Sequence, residues 1–146
     1  QWWEYEKEMR MTKQEVKEEY KQVEGNPEIK GKIRQKQRQM SMRRMMQEVP
    51  KADVIITNPT HFACALKYEA DESSAPVLLA KGQDYIAVRI KEIAKEAKVE
   101  IVENKPLARA IYDTVEIGQE IPQHLYQAVA EVLAFVYSLK DKSKAG

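Results

Sequence analysis

The sequence predicts an α/β protein: a small mixed four-stranded sheet covered by helices, preceded by a long helical linker arm. Three observations carry that reading. Residues 1–48 are charged, rich in Glu, Lys, Gln, Arg and Met and poor in β-branched residues, the composition of exposed helix. After Val49-Pro50 the composition changes, and short apolar runs separated by turn residues begin. Those runs alternate with segments whose apolar positions recur at helical spacing, the pattern of a sheet layered with helices.

Within the arm, residues 4–24 and 28–47 both read as helix, with sparse apolar positions at Met9, Val16, Tyr20 and Val23. So polar a helix buries little and is marginal without a partner. Gly25, Asn26 and Pro27 interrupt it, because Gly and Pro together stop a helix and permit a bend; they form the expected hinge. Met40, Met42, Met45 and Met46 read as a cluster that docks on the globular part, methionine being an adaptable apolar filler.

Past residue 48 the elements follow in order. Residues 53–57, with the β-branched run Val54-Ile55-Ile56-Thr57, form one strand and Phe62 to Tyr68 a second. Val77 to Ala80 makes a third, after the turn Ser73-Ser74-Ala75-Pro76. Gly82 precedes a helix carried by Ile86, Ile90, Ile93 and Ala97, and Val99 to Val102 is the fourth strand. Pro106 suits the first turn of a short helix to about Tyr112. Pro122 opens a last helix with a stripe of Leu125, Val129, Val132, Val136 and Leu139. Residues 49–140 are thus one domain, and 141–146 a flexible tail.

Composition sets outer limits. The chain has 146 residues and a formal net charge of +1, which argues against a dedicated nucleic-acid binder. The charge is uneven: residues 1–24 hold seven acidic and five basic side chains, residues 28–48 two acidic and seven basic. That basic stretch suits a solvated helix face, or a stripe facing an anionic membrane surface. Cys64 is the single cysteine, so no internal disulfide forms, and its apolar strand marks a buried inert thiol. His124 has no partner at ligand spacing, so neither a metal site nor a cofactor is expected. No stretch reaches the roughly 18 apolar residues of a membrane span. The opening Gln1-Trp2-Trp3-Glu4-Tyr5 lacks an initiator Met and places paired tryptophans where a membrane interface favours them, as in a fragment that follows a transmembrane region.

The chemistry lies between the first two strands, at Asn58-Pro59-Thr60-His61. An asparagine is ordinarily attacked at its side chain by the next residue's backbone nitrogen. Proline blocks that route, since its nitrogen is tertiary. The reverse attack remains: the Asn58 side-chain nitrogen closes on its own backbone carbonyl, forms a five-membered imide and expels Pro59, cutting the chain. An Asn-Pro pair is equally an ordinary turn start, and a second copy stands at Asn26-Pro27. Context separates them, because only Asn58 is fixed between two strands. Histidine exchanges protons near neutral pH, so His61 reads either as an assistant in proton transfer or as a structural hydrogen-bonder. Thr60 reads as a turn former first; its hydroxyl or nearby backbone N–H groups are the candidates to stabilise an oxyanion.

With these elements in place, the chain resembles the cytoplasmic domain of the type III export switch family FlhB/YscU/SpaS over nearly all its length. The resemblance rests on Gly-Asn-Pro-Glu-Ile-Lys (25–30), Val-Pro-Lys-Ala-Asp-Val-Ile (49–55), Asn-Pro-Thr-His (58–61) and Ala-Leu-Lys-Tyr (65–68). It continues through Pro-Leu-Ala-Arg-Ala (106–110), Ile-Gly-Gln-Glu-Ile-Pro (117–122) and Ala-Val-Ala-Glu-Val-Leu (128–133). Phe62, Cys64 and Lys105 are mild departures outside the Asn-Pro-Thr-His motif.

The resemblance implies a bacterial inner-membrane protein, of which this is a cytoplasmic part. It implies one self-cleavage between Asn58 and Pro59, both pieces staying together, and no turnover on other substrates. It also implies a role in switching export from rod and hook proteins to filament proteins. Partners would be other membrane components of the export apparatus, export substrates and a hook-length control protein. A small docking patch would be carried by Ala75, Pro76, Ala130 and Leu133, although Leu133 also suits core packing and Arg109 a structural ion pair. The linker and last helix favour the flagellar branch; an injectisome counterpart and a non-cleaving docking module are the alternatives.

Overall fold

A computed structural model describes residues 25–69 and 75–145. The expected helix over 4–24 and the Ser73-Ser74 half of the turn lie outside the described residues. The chain divides into two compact units, Gln1–Met42 and Arg43–Gly146. The sequence reading put that boundary at residue 48. The last turn and a half of the arm belongs with the second unit because Met45 and Val49 are buried.

In the first unit, helix α1 (Pro27–Glu48, continuing into the second unit) opens on Asn26. The Asn26 side-chain oxygen accepts the backbone N–H groups of Glu28 at 3.0 Å and Ile29 at 3.4 Å, with Pro27 in the first turn where no N–H is missed. The three residues expected as a hinge therefore include a helix cap. Ile29, Ile33 and Met40 stay exposed on α1.

The second unit is built on a four-stranded sheet: β1 (Val54–Asn58), β2 (Phe62–Lys67), β3 (Val77–Gln83) and β4 (Glu100–Glu103). The strand order is β3-β2-β1-β4. β1 pairs antiparallel with β2 and parallel with β4, and β2 pairs antiparallel with β3, so the sheet is mixed as expected. Strand β1 is buried from Val54 through Thr57, which is what a central strand of four consecutive β-branched residues requires.

Alternation sends the two faces to different partners. Val54 and Ile56 of β1, Cys64 and Leu66 of β2 and Leu78 of β3 join one core with α3 (Lys105–Thr114) and α4 (Tyr126–Ala145). The opposite face, with Ala63, Ala65, Ala80 and Gly82, lies under α2 (Tyr85–Glu96). Small residues there let the helix approach closely. Its buried stripe is accordingly Ala87, Ile90 and Ala94, while the expected Ile86 and Ile93 are only half-buried and Ala97 is exposed beyond the helix end.

Three boundaries differ from the sequence reading by more than two residues. β3 runs on to Gln83 instead of stopping at Ala80, because Gly82 is a strand residue that accepts the Ile86 side chain against its bare Cα. The last helix is preceded by a 3-10 turn at Gln123–Leu125. α4 continues to Ala145, through the segment 141–146 expected as a tail, since that polar segment contains only helix-tolerant residues before Gly146. Within α4, Val129, Val132, Leu133 and Val136 are buried and Leu139 is half-buried.

The free edge of β3 is covered by the Ile-Gly-Gln-Glu-Ile-Pro segment. Gly118 N–H donates to Leu78 O at 2.7 Å, Leu78 N–H to Gln119 O at 3.0 Å and Ile121 N–H to Pro76 O at 2.8 Å. Gly118 adopts φ 89°, a backbone that only glycine takes without strain.

A Cβ at Gly82 would overlap the Ile86 side chain. Gly82→Ala should therefore destabilise the domain by about 1–3 kcal/mol, the usual cost of overpacking, measured by denaturant unfolding. A stability equal to wild type would contradict the close packing of α2 on β3.

Candidate functional site

Asn58 ends β1 opposite Phe62, the first residue of β2, so the whole link between the strands is Pro59, Thr60 and His61. The four motif residues thus form one turn. Its closing bond runs from the His61 N–H to the Asn58 carbonyl oxygen at 3.0 Å. Proline in second position and a left-handed third residue are the marks of a type II turn. That third residue is Thr60, at φ 71°, where Gly or Asn is usual and a β-branched side chain is crowded. Asn58 and Pro59 are half-buried, Thr60 and His61 exposed.

The turn is anchored on three sides. On the strand side, buried Thr57 donates its hydroxyl to Phe62 O at 2.8 Å. On the β4 side, Asn104 N–H donates to Thr57 O at 2.9 Å before Asn104 caps α3 through its side chain, which accepts Leu107 N–H at 3.2 Å. On the β3 side, Asp84 N–H donates to His61 O at 2.9 Å. Below it Phe62 stacks on Tyr112 with centroids 4.7 Å apart. Lys81 lies over that tyrosine, 5.2 Å from its centroid, and donates to Tyr112 O at 2.9 Å and Val115 O at 2.8 Å. Its ammonium thereby satisfies the last carbonyls of α3.

Chemically, the Asn58 carbonyl would be the electrophile of a cyclisation, and it is the acceptor of a fixed backbone donor. At 3.0 Å the His61 N–H lies within the range that stabilises a developing oxyanion. The second Asn-Pro pair is held differently. The Asn26 amide oxygen is engaged by two helix N–H groups, and turning that side chain onto its own carbonyl would forfeit a cap worth about 1 kcal/mol.

The other four residues singled out in the sequence also meet. Ala75, Pro76, Ala130 and Leu133 line one cleft of about 690 Å3, together with Tyr68, Glu120, Tyr126, Ala134 and Tyr137. Burial, with help from the Asp53 carboxylate and Tyr68, holds the Tyr137 hydroxyl above its ordinary pKa, so it stays a hydrogen-bond donor there. Glu120 and the tyrosines escaped the sequence reading, because nothing in the order of residues brings the edge segment to the last helix. Arg109 pairs with Asp113 at 3.7 Å on the surface. His124 is exposed, and among the described residues no cluster of His, Cys, Asp or Glu could hold a metal ion. Among the described residues no helix is long and apolar enough to cross a membrane.

The family model described as FlhB HrpN YscU SpaS Family matches residues 1–136. The chain belongs to this family. It is 59% identical to the flagellar biosynthetic protein FlhB of Bacillus subtilis over 138 residues, 94% of this chain and 38% of that protein. It is 55% identical to the FlhB of Salmonella typhimurium over 140 residues, 96% of this chain and 37% of that protein. The chain thus spans a little over a third of the curated relatives it matches. Among solved structures, the cytoplasmic domain of FlhB from Shewanella putrefaciens superposes with a TM-score of 0.68 at 50% identity, covering 71% of this chain and 80% of that one. The EscU C-terminal domain, solved with an asparagine changed to aspartate, superposes at 0.60 and 29% identity, covering 63% of this chain and 98% of that one.

Cys64 lies on β2, three residues past the turn, wholly buried, its Sγ 3.5 Å from Ala108 O. Burial pushes its thiol from 9.0 up to about 12, against a smaller opposing pull from Lys81. Two outcomes follow. The thiol should resist alkylation in the folded protein and react only on unfolding. Its contribution to stability is fully present below pH 9.0 and is lost as pH rises through about 12, because only the unfolded chain releases the proton in that window. Alkylation with and without denaturant, and unfolding midpoints across that range, measure both. Rapid labelling of native protein would contradict the buried placement.

Proposed function

We propose that this chain is the cytoplasmic part of a flagellar export component that cuts its own backbone once, between Asn58 and Pro59, and takes part in switching export from rod and hook proteins to filament proteins. The single observation that carries the cleavage is the hydrogen bond from His61 N–H to the carbonyl of the asparagine that would cyclise. In the step, Asn58 Nδ2 bonds to the Asn58 backbone carbon, the carbon–nitrogen bond to Pro59 breaks, and the amide proton passes to the Pro59 nitrogen. The products are a C-terminal imide on one piece and a free proline amine on the other; water later opens the imide.

Three features of the turn favour that step. Proximity within one residue supplies an effective concentration that can lower the barrier by several kcal/mol. The His61 N–H, already aimed at the carbonyl oxygen, needs no reorganisation as charge develops. Crowding at left-handed Thr60, of order 1–3 kcal/mol, is relieved once the turn opens. The His61 side chain serves as an assisting proton carrier. Strand pairing holds both pieces: β1 remains between β2 and β4 when the link is cut.

After cleavage the domain acts by binding. The cleft at Ala75, Pro76, Ala130 and Leu133 is the docking place for an apolar segment of an export substrate. The exposed basic residues around α1 suit an anionic membrane surface beside an anchor carried elsewhere in the full-length protein. The flagellar assignment follows the higher identity to proteins named as flagellar, 59%, than to the EscU domain, 29%.

Asn58→Ala removes the nucleophile and should leave the chain whole. Pro59→Ala should slow scission more than about tenfold, a barrier increase above ~1.4 kcal/mol, and His61→Ala should slow it less. Gel analysis of freshly synthesised chain reads all three. Asn58→Ala protein that still splits at this bond would refute the mechanism. For docking, Ala130→Asp should lower substrate export several-fold while leaving the fragment pattern unchanged; unaltered export would remove the cleft from the account.

A further inference from the structure

Among the described residues, three non-glycine residues have positive φ: Thr60, Asp84 and Lys98. Lys98 is the ordinary left-handed end of a helix, its N–H bonded to Lys95 O and the Val99 N–H to Ala94 O at 2.8 Å. The other two are joined through His61. Asp84 lies at φ 51° and ψ −116°, well away from the left-handed helical basin and disfavoured by its Cβ. An aspartate before a helix normally takes an extended backbone and caps the first turn with its carboxylate. Asp84 makes no side-chain cap. Its backbone is turned so that its N–H meets His61 O at 2.9 Å while its own carbonyl accepts Val88 N–H at 3.1 Å to start α2.

We infer that Asp84 is a positioning residue for the scission, acting through His61: its N–H pins the His61 carbonyl, and the pinned residue holds its own N–H on the Asn58 carbonyl oxygen. The inference rests on the self-cleavage proposed above. The two bonds grip the peptide groups on either side of the His61 Cα, so releasing one frees the other to swing. The junction that holds Asp84 is itself fixed from both directions. Before it, Gln83 is paired with Phe62 and Gly82 is covered by Ile86; after it, α2 begins at once. The unusual backbone at Asp84 is thus maintained by the close approach of α2 to β3, and it serves the turn as well as the helix start.

The direct test exchanges the Asp84 amide for an ester by incorporating the corresponding hydroxy acid, which deletes the N–H and keeps the side chain. Scission of freshly synthesised protein should slow about tenfold or more, since the oxyanion donor is no longer held. Asp84→Gly keeps the N–H and fits the same backbone, so it should cut within about twofold of wild type. In the uncut Asn58→Ala background, hydrogen exchange at the His61 amide should speed up with the ester and not with Asp84→Gly; a merely structural role would leave that amide unchanged relative to its neighbours. An ester variant that cuts at the wild-type rate, or leaves His61 exchange unaltered, overturns the role of Asp84 alone. A wild-type chain that never cuts overturns the cleavage reading as well.

Discussion

The backbone hydrogen bond from the His61 amide to the Asn58 carbonyl closes the turn on which the rest of the site depends. It fixes a three-residue link tightly enough to force Thr60 into a left-handed backbone, and it aims a donor at the one carbonyl where charge would develop. Neither effect would survive in a free chain, where an Asn-Pro pair samples many conformations. The strands supply the constraint. β1 is gripped by β2 on one side and β4 on the other, and its last residue has no freedom to leave the sheet.

That rigidity has its own origin in side-chain size. Alanines and a glycine on one face of β2 and β3 bring α2 close, while larger residues on the other face build a core with α3 and α4. The close approach of α2 places Asp84 where its amide reaches the turn. Lys81, from the same strand, satisfies the end of α3 beneath the Phe62–Tyr112 stack. Both helical layers therefore bear on a four-residue link, so a chemical event there would be coupled to a standing domain. The same edge strand lies beside the cleft, since Pro76 contributes both to the pairing that covers β3 and to the cleft wall.

Much of this was legible in the order of residues. The β-branched run at 54–57, the helical stripe after Leu125 and the tight link at 58–61 are local signals, and each produced the expected element. What escaped was set by contacts distant in sequence. Gly82 looks like a helix boundary, yet it is a strand residue whose missing side chain admits Ile86. Asp84 drew no notice in the sequence, and its backbone turns toward a hairpin more than twenty positions earlier in the chain. Glu120 and Tyr137 share a cleft with Ala75 only because the segment around Gly118 doubles back along β3. The helix cap at Asn26 is local, made by Asn, Pro and the polar helix after them, although the same residues read as a hinge in the sequence.

The most direct test of the account is the intact mass of the freshly purified chain. Cyclisation at Asn58 predicts two pieces divided before Pro59, the N-terminal piece first one water lighter than a hydrolysed acid, with Asn26-Pro27 whole. A single uncut chain, a fragment carrying the full water from the outset, or cuts at both Asn-Pro pairs would contradict the claim that this fold activates one asparagine against its own backbone.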